Sequence, residues 1–111
     1  MTIKELQDNI DNWIKKFGVR YFSELTNMAL LTEEVGELSR HIARTYGEQS
    51  YKKKTNSKEL IKEEIADIFF VLVCLSNQMN IDLTKCILES IEKKTSRDSE
   101  RHKKNKKLFN E

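Results

Sequence analysis

Two pairs of acidic residues are the side chains in this sequence best placed to do chemistry. They lie in the segments TEEVGEL and EEIADI and comprise Glu34, Glu37, Glu64 and Asp67. Residues three positions apart are neighbours on one side of an α-helix, about 60° apart around its axis. If the two helices pack together, the four carboxylates can meet at one edge of their interface. Clustered carboxylates repel one another unless a cation joins them, and Mg²⁺ is the hard, oxygen-seeking cation that suits such a site.

Other interpretations compete for the same acids. Mn²⁺ accepts the same oxygen ligands as Mg²⁺. A di-iron site usually takes a Glu-x-x-His motif from each of two helices, whereas His41, one turn after Glu37, has no counterpart after Asp67. Two amphipathic helices with solvated acidic faces would also contain such pairs. Gly36, which stands between the first two acids, suggests a local steric need, because glycine inside a helix costs about 1 kcal/mol relative to alanine.

The elements that must position these acids are predicted to be α-helices. Apolar residues recur at intervals of three and four over residues 28–42 and 61–79, which predicts two helices that pair through apolar seams. Ser57 and Asp82 are predicted caps for the helices that follow them. The helices are expected over about residues 3–17, 22–46, 58–79 and 83–94, and the charged segment that follows is expected to continue as a helix or to form a frayed tail. The apolar run 68–75 predicts that the third helix is central, with Phe69, Phe70 and Val73 facing another helix or another subunit.

Composition limits the function classes. The chain has 111 residues, with 20 Lys and Arg against 18 Asp and Glu, so its net charge is +2. Dedicated nucleic-acid-binding domains tend to be strongly basic, and this balance of charge does not indicate one. Two cysteines are too few for a disulfide framework. The longest apolar run has eight residues, far short of the roughly 20 that a membrane span needs. We therefore expect one domain over residues 1–111, with a cytoplasmic location and no membrane partner.

The end of the chain is basic although the whole is nearly neutral. Residues 93–107 contain eight Lys or Arg and two acids. Lys94, Arg97 and Arg101 are spaced to share one face of a helix, where they could clamp a phosphate-bearing ligand. A solvated basic tail is the alternative, and nucleic-acid binding through residues 93–107 is a weaker one. For residues 52–54, a run of three lysines, a solvated loop is preferred over a phosphate lid.

The segments EEVGEL and EEIADIFFVLV together resemble the MazG-like family of all-α nucleoside triphosphate pyrophosphohydrolases. The family motif is Glu-x-x-Glu, a spacer and Glu-x-x-Asp, and here 26 residues separate Glu37 from Glu64. The resemblance covers about residues 20–102 and is closest to the short, single-domain bacterial members. It implies an all-α bundle of four to five helices that is completed by oligomerisation, with residues 103–111 as a basic tail.

The resemblance also implies a reaction. Glu34, Glu37, Glu64 and Asp67 would hold Mg²⁺, and a nucleoside triphosphate, with ribose or deoxyribose, would be hydrolysed between its α and β phosphates. The products would be a nucleoside monophosphate and pyrophosphate, as expected of nucleotide-pool housekeeping. A spare carboxylate can deprotonate the attacking water. Helix geometry does not rank the candidates for this base, and Glu33 is preferred over Glu63.

Substrate contacts and assembly follow from the same resemblance. Lys94, Arg97 and Arg101 are expected to bind the triphosphate. Among the aromatic residues near the start of the chain, Trp13, Tyr21 and Phe22, Trp13 is expected to stack on the base, with packing in the core or an interface as the alternative. The protein is expected to be a homodimer or homotetramer. A non-catalytic helical interaction module, with a solvated acidic face, is the alternative function.

Overall fold

Four α-helices make up most of the chain in the computed structural model, which describes residues 1–110. They are α1 (Ile3–Trp13), α2 (Glu24–Tyr46), α3 (Ser57–Gln78) and α4 (Leu83–Lys103). A π-helical turn, Ile14–Gly18, continues α1, and a 3₁₀ turn, Lys106–Leu108, follows α4. No strand occurs within residues 1–110, so the prediction of an all-α fold is confirmed. None of these helices combines the length and the apolar character that crossing a bilayer requires.

Polar side chains at the helix starts define where the helices begin. Asp82 accepts a hydrogen bond from the backbone N–H of Lys85, as predicted for the cap of α4. The predicted cap at Ser57 is wrong, because α3 starts one residue earlier and Asn56 accepts the capping bond. Helix α4 continues past residue 94 to Lys103, so the charged segment that follows forms a helix, which was one of the two predicted alternatives.

Helices α2 and α3 form an antiparallel hairpin joined by the loop 47–56. Asn27 near the start of α2 donates a hydrogen bond to Gln78 at the end of α3, with Nδ2 and Oε1 2.8 Å apart. Helix α1 packs on α3, and a small core cluster of Ile10, Ile14, Val73 and Cys74 fills their interface. The hairpin therefore provides the two facing helices that the acid pairs need.

The core of the single chain is small. The radius of gyration is 18.0 Å, against about 13 Å for a typical domain of 100 residues. Val73 is fully buried and Phe70 packs against α1, as predicted for a central α3, but Phe69 remains 48% exposed. The outer parts of both apolar stripes are also exposed, since a two-helix hairpin covers only one side of each helix; they include Met28, Val35, Ile42, Ile65, Leu72 and Met79.

Candidate active site

The predicted acid pairs converge where α2 and α3 face each other. Glu34, Glu64 and Asp67 each offer one carboxylate oxygen, and these oxygens lie within 4.8 Å of one another. Glu64 also belongs to a second group, formed with Glu37 and His41, whose ligand atoms meet the same limit. Glu64 is therefore the centre of the cluster, and the two groups extend from it in the two directions along the hairpin.

Negative charge is crowded enough in this cluster to hold a proton. The pKa of Glu34 is raised from 4.5 to about 7, mainly through its hydrogen bond with Glu64, then through burial and the charges of neighbouring acids. One carboxylate oxygen of Glu64, Oε2, is buried and has no hydrogen-bond partner among residues 1–110. A buried acceptor without a donor is costly. A hard divalent cation would satisfy these oxygens and offset their repulsion, so the donor set fits Mg²⁺ or Mn²⁺.

The remaining acids of the two segments are placed differently. Arg40 Nη2 donates to Glu37 Oε2 at 2.8 Å, so Glu37 already has a cationic partner. Glu33 and Glu63 are exposed and belong to neither converging group. The expected steric need at Gly36 is wrong for the single chain, because an added Cβ would meet no heavy atom of the described residues within 4 Å.

An apolar cavity of about 260 Å³ adjoins one side of the cluster. Its lining includes Leu30 and Val71, which are one helical turn from Glu34 and Asp67 respectively. Trp13 also lines this cavity, packs edge-on against Phe70 at a centroid distance of 5.6 Å, and is 48% exposed. The other aromatic lining residues are Tyr21 and Phe22.

A tight turn at Val19 precedes Tyr21 and Phe22, the aromatic residues that line the other side of this cavity. Val19 has a φ of 70°, and the N–H of Arg20 donates to the carbonyl of Gly18 at 2.8 Å. This is a γ-turn of the strained kind, which is uncommon for a β-branched residue. Tyr21, which follows the turn, donates its hydroxyl to Asp11 at 2.6 Å. Burial and this carboxylate raise the pKa of Tyr21 to about 12.

Asn27 is a lining residue that the sequence reasoning missed. It is only 5% exposed, and it adds an amide to an otherwise largely apolar cavity. Its partner Gln78 donates to the carbonyl of Phe22 at 2.8 Å, which fixes the aromatic wall to the end of α3. A polar residue next to the apolar stripe of α2 was the only signal in the sequence.

A second cavity, of about 470 Å³, adjoins the opposite side of the cluster. We call it the basic recess; it is lined by Arg40, His41, Arg44, Tyr51, Lys52, Lys53, Thr55 and Leu60. His41 is buried, and its Nδ1 lies 2.9 Å from the hydroxyl of Tyr51, whose ring stacks on the imidazole. The loop that carries Tyr51 is thereby held against α2.

The basic face of α4 is not brought to the acid cluster of the same chain. Within residues 1–110, the principal packing partner of α4 is α1. Arg97 donates from Nε and Nη2 to the two oxygens of Asp98, at 2.9 and 2.8 Å, and this pair lowers the pKa of Asp98. Arg101 also approaches Asp98, at 3.4 Å, and Lys94 donates to Ser90 at 2.6 Å. The three cations thus share a face, as predicted, but they are engaged locally.

Known proteins resemble this chain over most of its length. A family model of the MazG nucleotide pyrophosphohydrolase domain matches residues 22–102. Uncharacterized protein YpjD of Bacillus subtilis (strain 168) is 43% identical over 100 residues, which are 90% of this chain and 89% of that protein.

Two crystal structures share the fold. YPJD from Bacillus subtilis, a candidate pyrophosphatase, matches with a TM-score of 0.75 and 43% identity, over 84% of this chain and 94% of that one. A Bacillus-conserved MazG protein, a nucleotide pyrophosphohydrolase, matches with a TM-score of 0.74 and 38% identity, over 90% of this chain and 96% of that one. The family match spans both acid pairs and the basic face of α4.

Proposed function

This chain belongs to the MazG nucleotide pyrophosphohydrolase domain family, and we propose that it hydrolyses nucleoside triphosphates in a Mg²⁺-dependent reaction. The substrate, with ribose or deoxyribose, is cleaved between its α and β phosphates, giving a nucleoside monophosphate and pyrophosphate. The observation that supports this proposal best is the convergence of Glu34, Glu64 and Asp67 beside an aromatic cavity. Such an enzyme would serve nucleotide-pool housekeeping in the cytoplasm.

The metal would be held by the acid cluster. Its proposed ligands are Glu34, Glu37, Glu64 and Asp67, with Mn²⁺ as an acceptable substitute for Mg²⁺. When bound, the ion supplies positive charge that stabilises charge developing on the phosphate oxygens. The unpartnered Oε2 of Glu64 and the raised pKa of Glu34 support this assignment, since a cation would give the first a partner and offset the repulsion that causes the second.

Glu33 is the proposed general base. Its side chain is exposed on α2, directly before the first ligand, and it stands outside both converging groups. A carboxylate that is not occupied as a ligand can orient a water molecule and accept its proton. Glu33→Gln should therefore lower kcat much more than it lowers Mg²⁺ affinity, a difference that kinetics and metal titration would measure separately.

The apolar cavity is the proposed site for the base of the nucleotide. Its volume, about 260 Å³, is small for a ligand pocket and suits one flat ring system. Trp13 offers an exposed indole face whose orientation is fixed by its contact with Phe70. Stacking on such a face tolerates any base, so discrimination among bases would come from the polar lining residues, which include Asn27 and Arg20.

Assembly would complete the site. We propose a homodimer or a larger homo-oligomer, because the apolar faces left uncovered on α2 and α3 are accompanied by Ile87, Leu88 and Ile91 on α4. A second copy could also bring Lys94, Arg97 and Arg101 to the triphosphate, which their own chain does not do. Arginine pairs with phosphate through two parallel hydrogen bonds, and Asp98 would keep two of these cations aligned until the substrate arrives.

A nucleotide panel tests the activity. Each NTP and dNTP is incubated with the protein and Mg²⁺, and pyrophosphate release is followed. Glu64→Gln and Asp67→Asn should reduce release by about 100-fold or more while the helical circular dichroism is retained. Glu59→Gln is the matched control, because this exposed acid lies on α3 outside the cluster.

The outcome that contradicts the proposal is equally definite. A folded oligomer that releases pyrophosphate from no nucleotide is not this enzyme. If Mg²⁺ plus nucleotide also leaves the melting temperature unchanged, the non-catalytic helical interaction module is the better description.

A further inference from the structure

The basic recess carries an excess of positive charge that the chain does not neutralise. Four of its lining residues are Arg40, Arg44, Lys52 and Lys53. Arg40 is paired with Glu37, but within residues 1–110 the other three cations form no ion pair with a carboxylate. The recess therefore carries positive charge that the chain does not offset, and this charge surrounds an open cavity of about 470 Å³.

One of these cations is also poorly satisfied inside the protein. Arg44 is half-buried on α2, and its Nη1 atom is buried without any hydrogen-bond partner. A guanidinium N–H withdrawn from water and left unpaired costs free energy, and native proteins rarely retain one without a reason. Because Nη1 has almost no accessible surface, Arg44 contributes to the recess through the charge of its guanidinium group.

The recess is continuous with the acid cluster. His41, which lines it, offers a ring nitrogen within 4.8 Å of carboxylate oxygens of Glu37 and Glu64. Leu60, on the opposite wall, is one helical turn before Glu64, a separation of about 6 Å along α3. A ligand that extends from the apolar cavity across the acid cluster, and that carries more than one phosphate, would therefore place its outer phosphates in the basic recess.

We propose that the basic recess binds the diphosphate portion of the substrate, which leaves as pyrophosphate. This inference deepens the proposed function and rests on it. Arg44, Lys52 and Lys53 donate charge-assisted hydrogen bonds to the phosphate oxygens. The stacked pair of His41 and Tyr51 holds the loop against α2, and both lysines of this loop line the recess.

The recess would then act on the bond-breaking step. The oxygen of water forms a bond to the α phosphorus while the bond from that phosphorus to the α,β-bridging oxygen breaks. The electron pair of the broken bond stays on the bridging oxygen, which departs as part of pyrophosphate, and the proton of water passes to the general base. Fixed cations beside the departing group stabilise the charge that it gains.

The structure separates two of the three neighbouring lysines from the third. Lys52 and Lys53 line the recess and Lys54 does not, although all three are exposed loop residues with the same charge. A general electrostatic effect of the loop would depend on all three equally. Lys54 is thus a matched control for a site formed by its two neighbours.

The test uses inorganic pyrophosphate as the probe, with Mg²⁺ and the full chain, in calorimetric titration and in product inhibition of nucleotide hydrolysis. Lys52→Gln combined with Lys53→Gln should weaken pyrophosphate binding by about tenfold or more, since two charge-assisted contacts are lost. Arg44→Gln should have a similar effect, and Lys54→Gln should change the affinity by less than about twofold. Inhibition by the nucleoside monophosphate product should stay the same in all of them.

Several results would overturn the inference. One is a double lysine variant that binds pyrophosphate as tightly as the unchanged protein. Another is orthophosphate binding as tightly as pyrophosphate, which would mean a general anion site. Because Arg44 is half-buried, its variant is included only if circular dichroism shows a folded protein, and the exposed lysine pair decides the test by itself.

The same experiments separate this inference from the proposed activity. If nucleotides are hydrolysed and the double lysine variant keeps its pyrophosphate affinity, the recess assignment is wrong and the activity stands. If no nucleotide is hydrolysed but the variant loses pyrophosphate binding and Lys54→Gln does not, the recess binds diphosphate and the proposed activity is wrong.

Discussion

Mg²⁺ binding by this protein should displace a proton, and Glu34 is the group expected to lose it. The neighbouring acids raise the pKa of Glu34 to about 7 from an ordinary 4.5. Metal ligands must be deprotonated, so a proton on the cluster competes with the ion. Below pH 7, the apparent Mg²⁺ affinity should therefore fall about tenfold for each unit of pH, and above pH 8 it should be constant.

The sign of the stability change follows from the same shift. Between about pH 4.5 and pH 7, the folded, metal-free protein keeps a proton on Glu34 that the unfolded chain has released. Raising the pH through this window therefore destabilises the metal-free protein. The thermal stabilisation by Mg²⁺ should be largest above pH 7 and small near pH 5.

Calorimetric titration of Mg²⁺ between pH 5.5 and pH 8, in pairs of buffers with different ionisation enthalpies, counts the protons released. Glu34→Gln should bind Mg²⁺ more weakly at every pH, because a ligand is lost, but with a nearly flat pH dependence. Glu63→Gln is the control and should keep the full pH dependence, since that side chain is exposed and belongs to neither converging group.

Two outcomes would refute this reasoning. One is an Mg²⁺ affinity that does not change between pH 5.5 and pH 8 with no proton release. The other is an unchanged pH dependence in Glu34→Gln, which would assign the displaced proton to a different group.

Three further predictions concern the aromatic cavity, the first acid pair and assembly. Trp13→Ala should raise KM and lower the free energy of unfolding by about 2 kcal/mol, measured by urea unfolding. Phe17→Ala is the comparison: its side chain is 63% exposed, so it should lower the free energy of unfolding by less than half as much. Gly36→Ala should raise the free energy of unfolding by about 1 kcal/mol, because the new Cβ meets no neighbour; a loss in thermal melts would show that a second copy fills that space. Ile87 and Ile91 are 47% and 54% exposed, and replacing both with Glu should convert the proposed oligomer to monomers. Analytical ultracentrifugation measures this change, and an unchanged mass would exclude this face of α4 from the interface.

The helices were predictable because the relevant signals are local. Apolar residues at intervals of three and four mark the faces that pack, and Asp82 before Leu83 marks a helix start whatever the rest of the chain does. Ser57 was misassigned because Asn56 beside it is an equally good cap. The end of α4 was left open between a charged helix and a frayed tail, because its second half has no apolar periodicity. The helix continues there through charged residues with good helix propensity.

The surroundings of the candidate site could not be predicted from such local signals. The γ-turn at Val19 has no sequence signature, because a β-branched residue with positive φ is held there by its surroundings and against its own preference. The fixation of Phe22 by Asn27 and Gln78 joins residues about 50 positions apart. Lys52 and Lys53 line the basic recess and Lys54 does not, a difference that depends on how the loop 47–56 lies against α2.

The sequence by itself determined that the chain is helical and that each acid pair shares a face, because both follow from the fixed rotation of about 100° per residue in an α-helix. Only the tertiary structure decided that Glu64 is the centre of the cluster, with an aromatic cavity on one side and a basic recess on the other. Those relations depend on the relative register of α2 and α3 and on the path of the loops. Side-chain packing between distant segments sets both of these, and no local rule of spacing contains it.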